Sequence, residues 1–149
     1  MPIEFRVGDL FGDHLLTSLA HGCNCAGSMG RGIAVEFRRR WPAMYDAYRA
    51  ECKSGRFQPG GVFVWDTPGM TIFNLATQPL PRRSARLEYI DSSLRKAIRI
   101  AESNAIPAMG MPRIGTGYGG LEWIDVRRIL ECAAEETGIL LAVYDLSST

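Results

Sequence analysis

The chain has 149 residues, of which 46% are hydrophobic and 22% charged, a composition typical of a globular unit with a packed core and not of a disordered segment. Lys and Arg number 17 and Asp and Glu 16, so the formal net charge of +1 excludes a general electrostatic attraction to nucleic acid or to an anionic membrane. No apolar run reaches the roughly 20 residues of a membrane span, and the first residues lack signal-peptide anatomy, so we expect a cytoplasmic protein without membrane contact.

Short apolar runs alternate with amphipathic helical patterns, which predicts an α/β fold in layers and one domain over residues 1–149. The predicted strands cover residues 3–7, 17–24, 62–65, 71–77, 105–111 and 139–146. The predicted helices cover residues 33–40, 42 towards 55, 87–102 and 123–137. Asp66, Thr67, Pro68 and Gly69 predict a turn between the third and fourth strands, so we expect that pair to be antiparallel.

Two glycine-rich turns, at residues 27–32 and 115–120, each follow a predicted strand and precede a predicted helix. In an open α/β sheet the loops at the carboxyl ends of the strands face one crevice, which is where ligands bind. Glycine lets the backbone approach a ligand closely and turn several amides inward. A phosphate is therefore the first ligand to consider. The alternative is a pair of plain turns that need a positive φ.

Common nucleotide motifs do not explain these turns. The second turn fits G-x-G-x-x-G, but it lies in the last third of the chain, and the residue twenty positions after Gly120 is Leu140, which is not acidic. Neither turn contains Gly-Lys-Ser/Thr, which excludes a P-loop.

The four cysteines are Cys23, Cys25, Cys52 and Cys132. Cys23 and Cys25 are too close in sequence for a zinc knuckle, and no second ligand pair has zinc-site spacing. We therefore interpret them as buried or half-buried thiols, and we expect neither a metal nor an organic cofactor.

Ordered motifs from residue 7 to residue 146 resemble the macrodomains, and among these the terminal ADP-ribose protein glycohydrolases, or ALC-like branch. The resemblance is carried by Gly8-Asp9-Leu10-Phe11, Ser18-Leu19-Ala20-His21, Met29-Gly30-Arg31-Gly32-Ile33-Ala34, Met111-Pro112-Arg113-Ile114-Gly115-Thr116-Gly117, Leu121-Glu122-Trp123 and Val143-Tyr144. The run His21-Gly22-Cys23-Asn24-Cys25-Ala26-Gly27-Ser28 also resembles the yeast-type ADP-ribose 1''-phosphate phosphatase.

The resemblance implies a three-layer α/β/α fold around a mixed sheet, with one ADP-ribose in the crevice. Asp9 would accept a hydrogen bond from the adenine amino group, and the Leu10 amide would bind the same ring. The first turn would hold the distal ribose and a phosphate through Ser28, Met29, Gly30, Gly32, Ile33 and Ala34. The second would surround the diphosphate through Arg113, Ile114, Gly115, Thr116, Gly117, Tyr118 and Gly119. Tyr144 is a candidate wall for adenine.

Two positions depart from this branch of the family. Gln78 stands where the branch has a lysine, and Gly119 where it has an aspartate. A lysine nucleophile is therefore absent, since an amide nitrogen is not basic. Two interpretations stay open: Asn24 or Gln78 holds a water that attacks a labile ester, with help from the ligand's own phosphate, or the domain binds ADP-ribose without catalysis.

Three other residues also have alternatives. His21 is either a general acid or base of a phosphatase-like reaction or a hydrogen-bonded histidine inside the fold. Asp9 is either an adenine reader or a turn and N-cap residue. Tyr144 is either an adenine wall or a core aromatic residue.

The sequence thus predicts a monomer that binds ADP-ribose and hydrolyses its ester to acidic side chains of mono-ADP-ribosylated proteins, its expected partners. A non-catalytic ADP-ribose reader and an ADP-ribose 1''-phosphate phosphatase are the alternatives. Arg82 and Arg83 are candidates for contact with an acidic target protein, and no general binding of nucleic acid is expected.

Overall fold

The computed structural model describes residues 2–146. The strands are β1 (Ile3–Val7), β2 (Ser18–Asn24), β3 (Val62–Thr67), β4 (Met70–Gln78), β5 (Ala108–Pro112) and β6 (Leu140–Asp145). The helices are α1 (Ala34–Arg40), α2 (Pro42–Lys53), α3 (Leu87–Ser103) and α4 (Trp123–Glu135), with a short 3-10 helix at Leu10–Gly12. None of these helices is long and apolar enough to cross a membrane.

The strands form one mixed sheet in the order β1-β6-β5-β2-β4-β3. Every neighbouring pair is parallel except β3 and β4, which are antiparallel and joined by a turn at Pro68 and Gly69. The predicted antiparallel pair is thereby confirmed.

Side chains that alternate along the strands form two cores, one on each face of the sheet. In β4, Phe73 and Leu75 join the cluster that includes α3 and α4, whereas Ile72 and Ala76 join the cluster that includes α1 and α2. This alternation follows from the two-residue period of a strand. The three-layer α/β/α arrangement is confirmed.

The clearest difference from the predicted elements lies before β5, which begins at Ala108 and not at residue 105. Ala105 has a φ of +55°, and the Ile106 amide donates to the Ala101 carbonyl oxygen (2.9 Å). These residues therefore complete the end of α3, and Pro107 delays the strand because it lacks a ladder donor.

Five parallel strands, β1, β2, β4, β5 and β6, end at the same edge of the sheet. The carboxyl ends of β2, β4, β5 and β6 bring Asn24, Gln78, Pro112 and Asp145 to this edge, where open α/β sheets bind their ligands.

Candidate functional site

A cavity of about 440 Å³ opens at this edge. Its walls come from both glycine-rich turns and from the ends of β2, β4, β5 and β6. We call residues 25–33 the first glycine loop and residues 113–120 the second. The expectation that the two loops face one crevice is confirmed.

Asn24 organises the first glycine loop. Its Oδ1 accepts from the backbone amides of Ala26 (3.0 Å) and Ser28 (3.3 Å), and its Nδ2 donates to the Ser28 carbonyl oxygen (2.8 Å). The Tyr48 hydroxyl donates to the Asn24 carbonyl oxygen (2.6 Å). A short polar side chain stabilises a turn when it forms hydrogen bonds with backbone groups two and four residues later in the chain. The principal contacts of Asn24 are therefore with its own loop.

The second glycine loop is packed so tightly that two of its positions leave no space for a Cβ atom. Gly115 has a φ of +77°, and a Cβ there would lie 2.7 Å from Ile90 Cδ1. A Cβ at Gly119 would lie 2.6 Å from the Gly115 carbonyl oxygen, which already accepts the Leu121 amide (2.9 Å). Glycine is thus required here by conformation and by space.

Gln78 holds the segment that follows β4. Its Nε2 donates to the carbonyl oxygens of Leu80 (2.8 Å) and Arg82 (2.9 Å), which uses both hydrogens of that nitrogen. Gln78 is one of the residues that line the cavity, and Oε1 is the side-chain atom that can accept a hydrogen from a water.

Most of the predicted site residues line the cavity. They are Asn24, Ser28, Met29, Gly30, Gly32, Ile33, Ala34, Gln78, Arg113, Ile114, Gly115, Thr116, Gly117, Tyr118, Gly119 and Tyr144. Three predicted residues do not line it: Asp9, Leu10 and His21.

Asp9 and Leu10 lie just after β1. Asp9 Oδ1 accepts the Phe11 amide (2.9 Å) and caps the 3-10 helix, as the alternative interpretation of this residue expected. Leu10 is buried among the side chains that pack against α1 and α2. The Gly8 amide donates to the Asp145 carbonyl oxygen (3.1 Å), so this segment borders the cavity wall at Asp145 without lining it.

His21 lies inside the fold. Its ring stacks on Phe37 with centroids 3.8 Å apart, and Nε2 lies 2.7 Å from Asn74 Oδ1. Asn74 Nδ2 donates to the Phe63 carbonyl oxygen, so Asn74 Oδ1 is the acceptor in the hydrogen bond with His21. His21 Nε2 therefore carries the proton. Burial lowers the pKa of His21 to about 4. The structure therefore agrees with the core interpretation and places the imidazole away from the cavity that a catalytic role requires.

The buried His21 should make stability depend on pH. Its pKa falls from 6.5 to about 4 on folding, so the unfolded chain binds more protons than the folded one between these values. The free energy of unfolding should fall by about 3 kcal/mol as the pH drops from 6.5 to 4. Urea titrations at several pH values measure this slope. His21→Gln should flatten it, whereas His14→Gln, at an exposed histidine, should not. If the free energy of unfolding of His21→Gln depends on pH as strongly as that of the unaltered chain, the buried His21 is not the cause of this dependence.

Tyr144 and Asp145 form the wall at the end of β6. The Tyr144 hydroxyl donates to Asp13 Oδ2 (2.7 Å), and this hydrogen bond lowers the pKa of Asp13. Asp145 pairs with Arg113 (3.4 Å), whose guanidinium also lies over Trp123. Asp145 was not among the predicted site residues, although its place at the end of the last parallel strand is a signal for a ligand site.

The Cys23 and Cys25 thiols are not activated as nucleophiles. All four cysteines are free; Cys23 is buried and Cys25 and Cys52 are half-buried, as predicted, but the prediction is wrong for Cys132, which is exposed. Burial raises the pKa of Cys23 far above its ordinary value and that of Cys25 to about 12, so both stay protonated at neutral pH. Within residues 2–146, no group of three His, Cys, Asp or Glu side chains could hold a metal ion.

Comparison with known proteins fits this geometry. The family profile described as "Macro domain" matches residues 20–130. The chain belongs to the macro domain family. This macrodomain is 38% identical over 123 residues to a DNA ADP-ribosyl glycohydrolase of Mycobacterium tuberculosis, covering 80% of the chain and 35% of that relative. It thus spans about a third of the length of that relative.

Two further similarities cover almost the whole chain. The macrodomain is 31% identical to the human ADP-ribose glycohydrolase OARD1 over 144 residues, which is 97% of this chain and 91% of that protein. The solved macrodomain of Mycobacterium tuberculosis DarG superposes with a TM-score of 0.90 at 35% identity, covering 97% of this chain and 98% of that one.

Proposed function

We propose that this macrodomain binds ADP-ribose in the cavity and hydrolyses the bond between ADP-ribose and a macromolecule. The observation that carries the proposal is that two glycine loops, one fixed by Asn24 and one closed at Gly119, line the same cavity. Glycine-rich loops at the ends of strands suit a diphosphate, because the backbone can approach the anion closely. The names of the relatives, which describe ADP-ribosyl or ADP-ribose glycohydrolases, support the reaction class.

The chemistry proceeds without a lysine nucleophile. Neither of the chain's two lysines lines the cavity: Lys53 is the last residue of α2, and Lys96 Nζ donates to the Gly60 carbonyl oxygen (3.0 Å). A water therefore attacks directly, giving its hydroxyl to ADP-ribose and a proton to the leaving group. The protein contributes orientation of the bound sugar and of this water.

Gln78 orients the water through Oε1 in this proposal. Gln78→Ala should lower kcat about tenfold and change the Kd for ADP-ribose by less than about threefold. Single-turnover hydrolysis and calorimetry measure the two quantities. Gln58→Ala is the matched control, because Gln58 Nε2 also donates to a backbone carbonyl oxygen (Gly55, 2.7 Å) but lies away from the cavity. An unchanged kcat in Gln78→Ala would rule out this role.

Two carriers of the ADP-ribose are candidates. Acidic side chains of proteins form an intrinsically labile ester, which suits a site that works by orientation. A DNA base is the second candidate, favoured by the name of the mycobacterial relative.

We also propose that the protein is a monomer and that it lies in the cytoplasm. Its four cysteines are free, which suits a compartment that keeps thiols reduced.

The decisive experiment incubates the purified chain with three substrates: an ADP-ribosylated glutamate peptide, a single-stranded oligonucleotide with ADP-ribose on a base, and ADP-ribose 1''-phosphate. Mass spectrometry of the released products identifies the reaction. Release of ADP-ribose from either of the first two supports the proposal. Binding of ADP-ribose with no product supports a reader, and release of phosphate alone supports a phosphatase; both contradict hydrolysis of a macromolecular linkage.

A further inference from the structure

Gln78 and Asp145 lie at opposite ends of the cavity. The carboxyl ends of β4, β2, β5 and β6 stand side by side in that order, so three strand spacings separate the end of β4 from the end of β6. Neighbouring strands are about 4.8 Å apart, which places about 14 Å between these two walls. Both glycine loops lie between them, because the first follows β2 and the second follows β5.

This order gives the bound ADP-ribose a direction. In the proposed function, the reacting sugar lies beside Gln78 at the end of β4, and the diphosphate lies between the two glycine loops. The adenosine half then extends towards the end of β6. Its ribose, the second sugar of the ligand, therefore reaches the wall formed by Tyr144 and Asp145.

A carboxylate and an arginine form an ion pair at this end of the cavity. Asp145 Oδ2 lies 3.4 Å from Arg113 Nη2, and the Arg113 guanidinium also lies over the Trp123 ring, 4.6 Å from its centroid. Two contacts therefore hold the arginine on the β6 side. A carboxylate has about four lone-pair directions, so Asp145 can pair with an arginine and also accept hydrogen bonds from hydroxyl groups.

The charge of the cavity wall is concentrated in this pair. Among the described residues that line the cavity, the charged side chains are Arg31, Arg113 and Asp145. Arg31 belongs to the first glycine loop, and its guanidinium lies over the Tyr118 ring of the second, 5.3 Å from its centroid. Recognition of charge or of hydroxyl groups at the adenosine end thus depends on Asp145 and Arg113.

We propose that Asp145 recognises the adenosine ribose and selects ADP-ribose with a free 2'-hydroxyl over its 2'-phosphorylated form. This inference rests on the proposed function, which sets the direction of the ligand. In dinucleotide-binding sheets, an acidic side chain accepts hydrogen bonds from the ribose hydroxyls, whereas an arginine accommodates a 2'-phosphate. This cavity holds both groups as a pair. While Asp145 engages Arg113, the carboxylate repels a phosphate, because like charges in close contact disfavour each other.

Calorimetry with three ligands tests the selection at about pH 8, where a phosphate monoester is fully ionised. The ligands are ADP-ribose, its adenosine 2'-phosphate and its adenosine 2'-deoxy form. The unaltered chain should bind the phosphorylated form at least about 30-fold more weakly than ADP-ribose, because two anionic groups meet. It should bind the deoxy form about tenfold more weakly, because a charge-assisted hydrogen bond is lost.

Asp145→Asn keeps the size of the side chain and an acceptor oxygen but removes the charge. The preference for ADP-ribose over the phosphorylated form should fall to about threefold or less, and the deoxy penalty to about threefold. The Kd for ADP-ribose itself should change by less than about fivefold. Asp91→Asn is the matched control, because Asp91 also pairs with an arginine (Arg95, 2.8 Å) but does not line the cavity. Its preferences should equal those of the unaltered chain.

The arginine has its own readout. Asp145→Asn releases Arg113 to bind the phosphate. Asp145→Asn/Arg113→Ala should therefore bind the phosphorylated form about tenfold more weakly than Asp145→Asn does.

Equal affinity of the unaltered chain for ADP-ribose and its phosphorylated form would overturn the inference, and so would an unchanged preference in Asp145→Asn. A chain that binds none of the three ligands would refute the proposed function and this inference with it. Selective binding without hydrolysis of any macromolecular linkage would refute the proposed reaction alone and would support the role of Asp145.

Discussion

Gly119→Asp should abolish ADP-ribose binding, with a loss of affinity of at least about 100-fold. The substitution places in this chain the aspartate that the similar glycohydrolase branch has at this position. A Cβ here would lie 2.6 Å from the Gly115 carbonyl oxygen and 2.9 Å from Ala85 Cβ. The carbonyl is fixed by the Leu121 amide, so the second glycine loop must open. Unfolding should become easier by about 3 kcal/mol.

Calorimetry with ADP-ribose and thermal unfolding followed by circular dichroism measure the two effects. Gly119→Ala should show a smaller loss in the same direction, because its Cβ meets the same atoms. Gly138→Ala is the control, since a Cβ at Gly138 has no heavy atom within 4 Å. Normal binding of ADP-ribose by Gly119→Asp would show that the loop accommodates an aspartate. The shape of the loop would then not explain why glycine replaces the aspartate of the similar branch.

The layers and the place of the site were predictable from sequence because both depend on patterns of short period. The predicted strand at 17–24 differs from β2 (Ser18–Asn24) by one residue, and the helix that begins at Leu87 ends one residue later than predicted. Once strands with apolar runs alternate with helices, parallel pairing puts their carboxyl ends at one edge. Because the two glycine loops follow two of these strands, they lie at the same edge of the sheet.

The orientation of His21 was also contained in the sequence. Leu19, His21 and Cys23 share one face of β2, and the first and last of these belong to the core beside α1 and α2. The two-residue period of a strand thus places the imidazole in that core. A motif that resembles a phosphatase directs attention to the histidine as a chemical group and away from the face that it occupies.

Contacts between distant segments could not be predicted in this way. Tyr48 reaches Asn24 from α2, and Arg31 reaches Tyr118 from the opposite loop. Such pairs depend on how helices are placed against the sheet, which no local pattern specifies. These contacts between distant segments decide whether a polar side chain can contact a substrate or is already hydrogen-bonded to the backbone.

Asn24→Ala should reduce both the stability of the fold and its affinity for ADP-ribose. The side chain is 9% exposed, and its loss leaves the Ala26 and Ser28 amides and the Ser28 carbonyl oxygen without these partners. The free energy of unfolding should fall by about 3 kcal/mol, and the affinity about 30-fold as the loop amides lose their arrangement. Denaturant titration and calorimetry measure these losses.

Asn24→Asp separates this positioning role from that of a water holder. The aspartate keeps an acceptor for the Ala26 and Ser28 amides, but its second oxygen replaces Nδ2, which lies 2.8 Å from the Ser28 carbonyl oxygen. Two acceptors then face each other, so binding should weaken nearly as much as in Asn24→Ala. Tyr48→Phe, which removes a neighbouring hydroxyl, should cost only about 1 kcal/mol. A residue that merely activates water would behave in the opposite way, because a carboxylate is the better base. Full binding and faster hydrolysis by Asn24→Asp would therefore assign Asn24 to the chemistry and not to the loop.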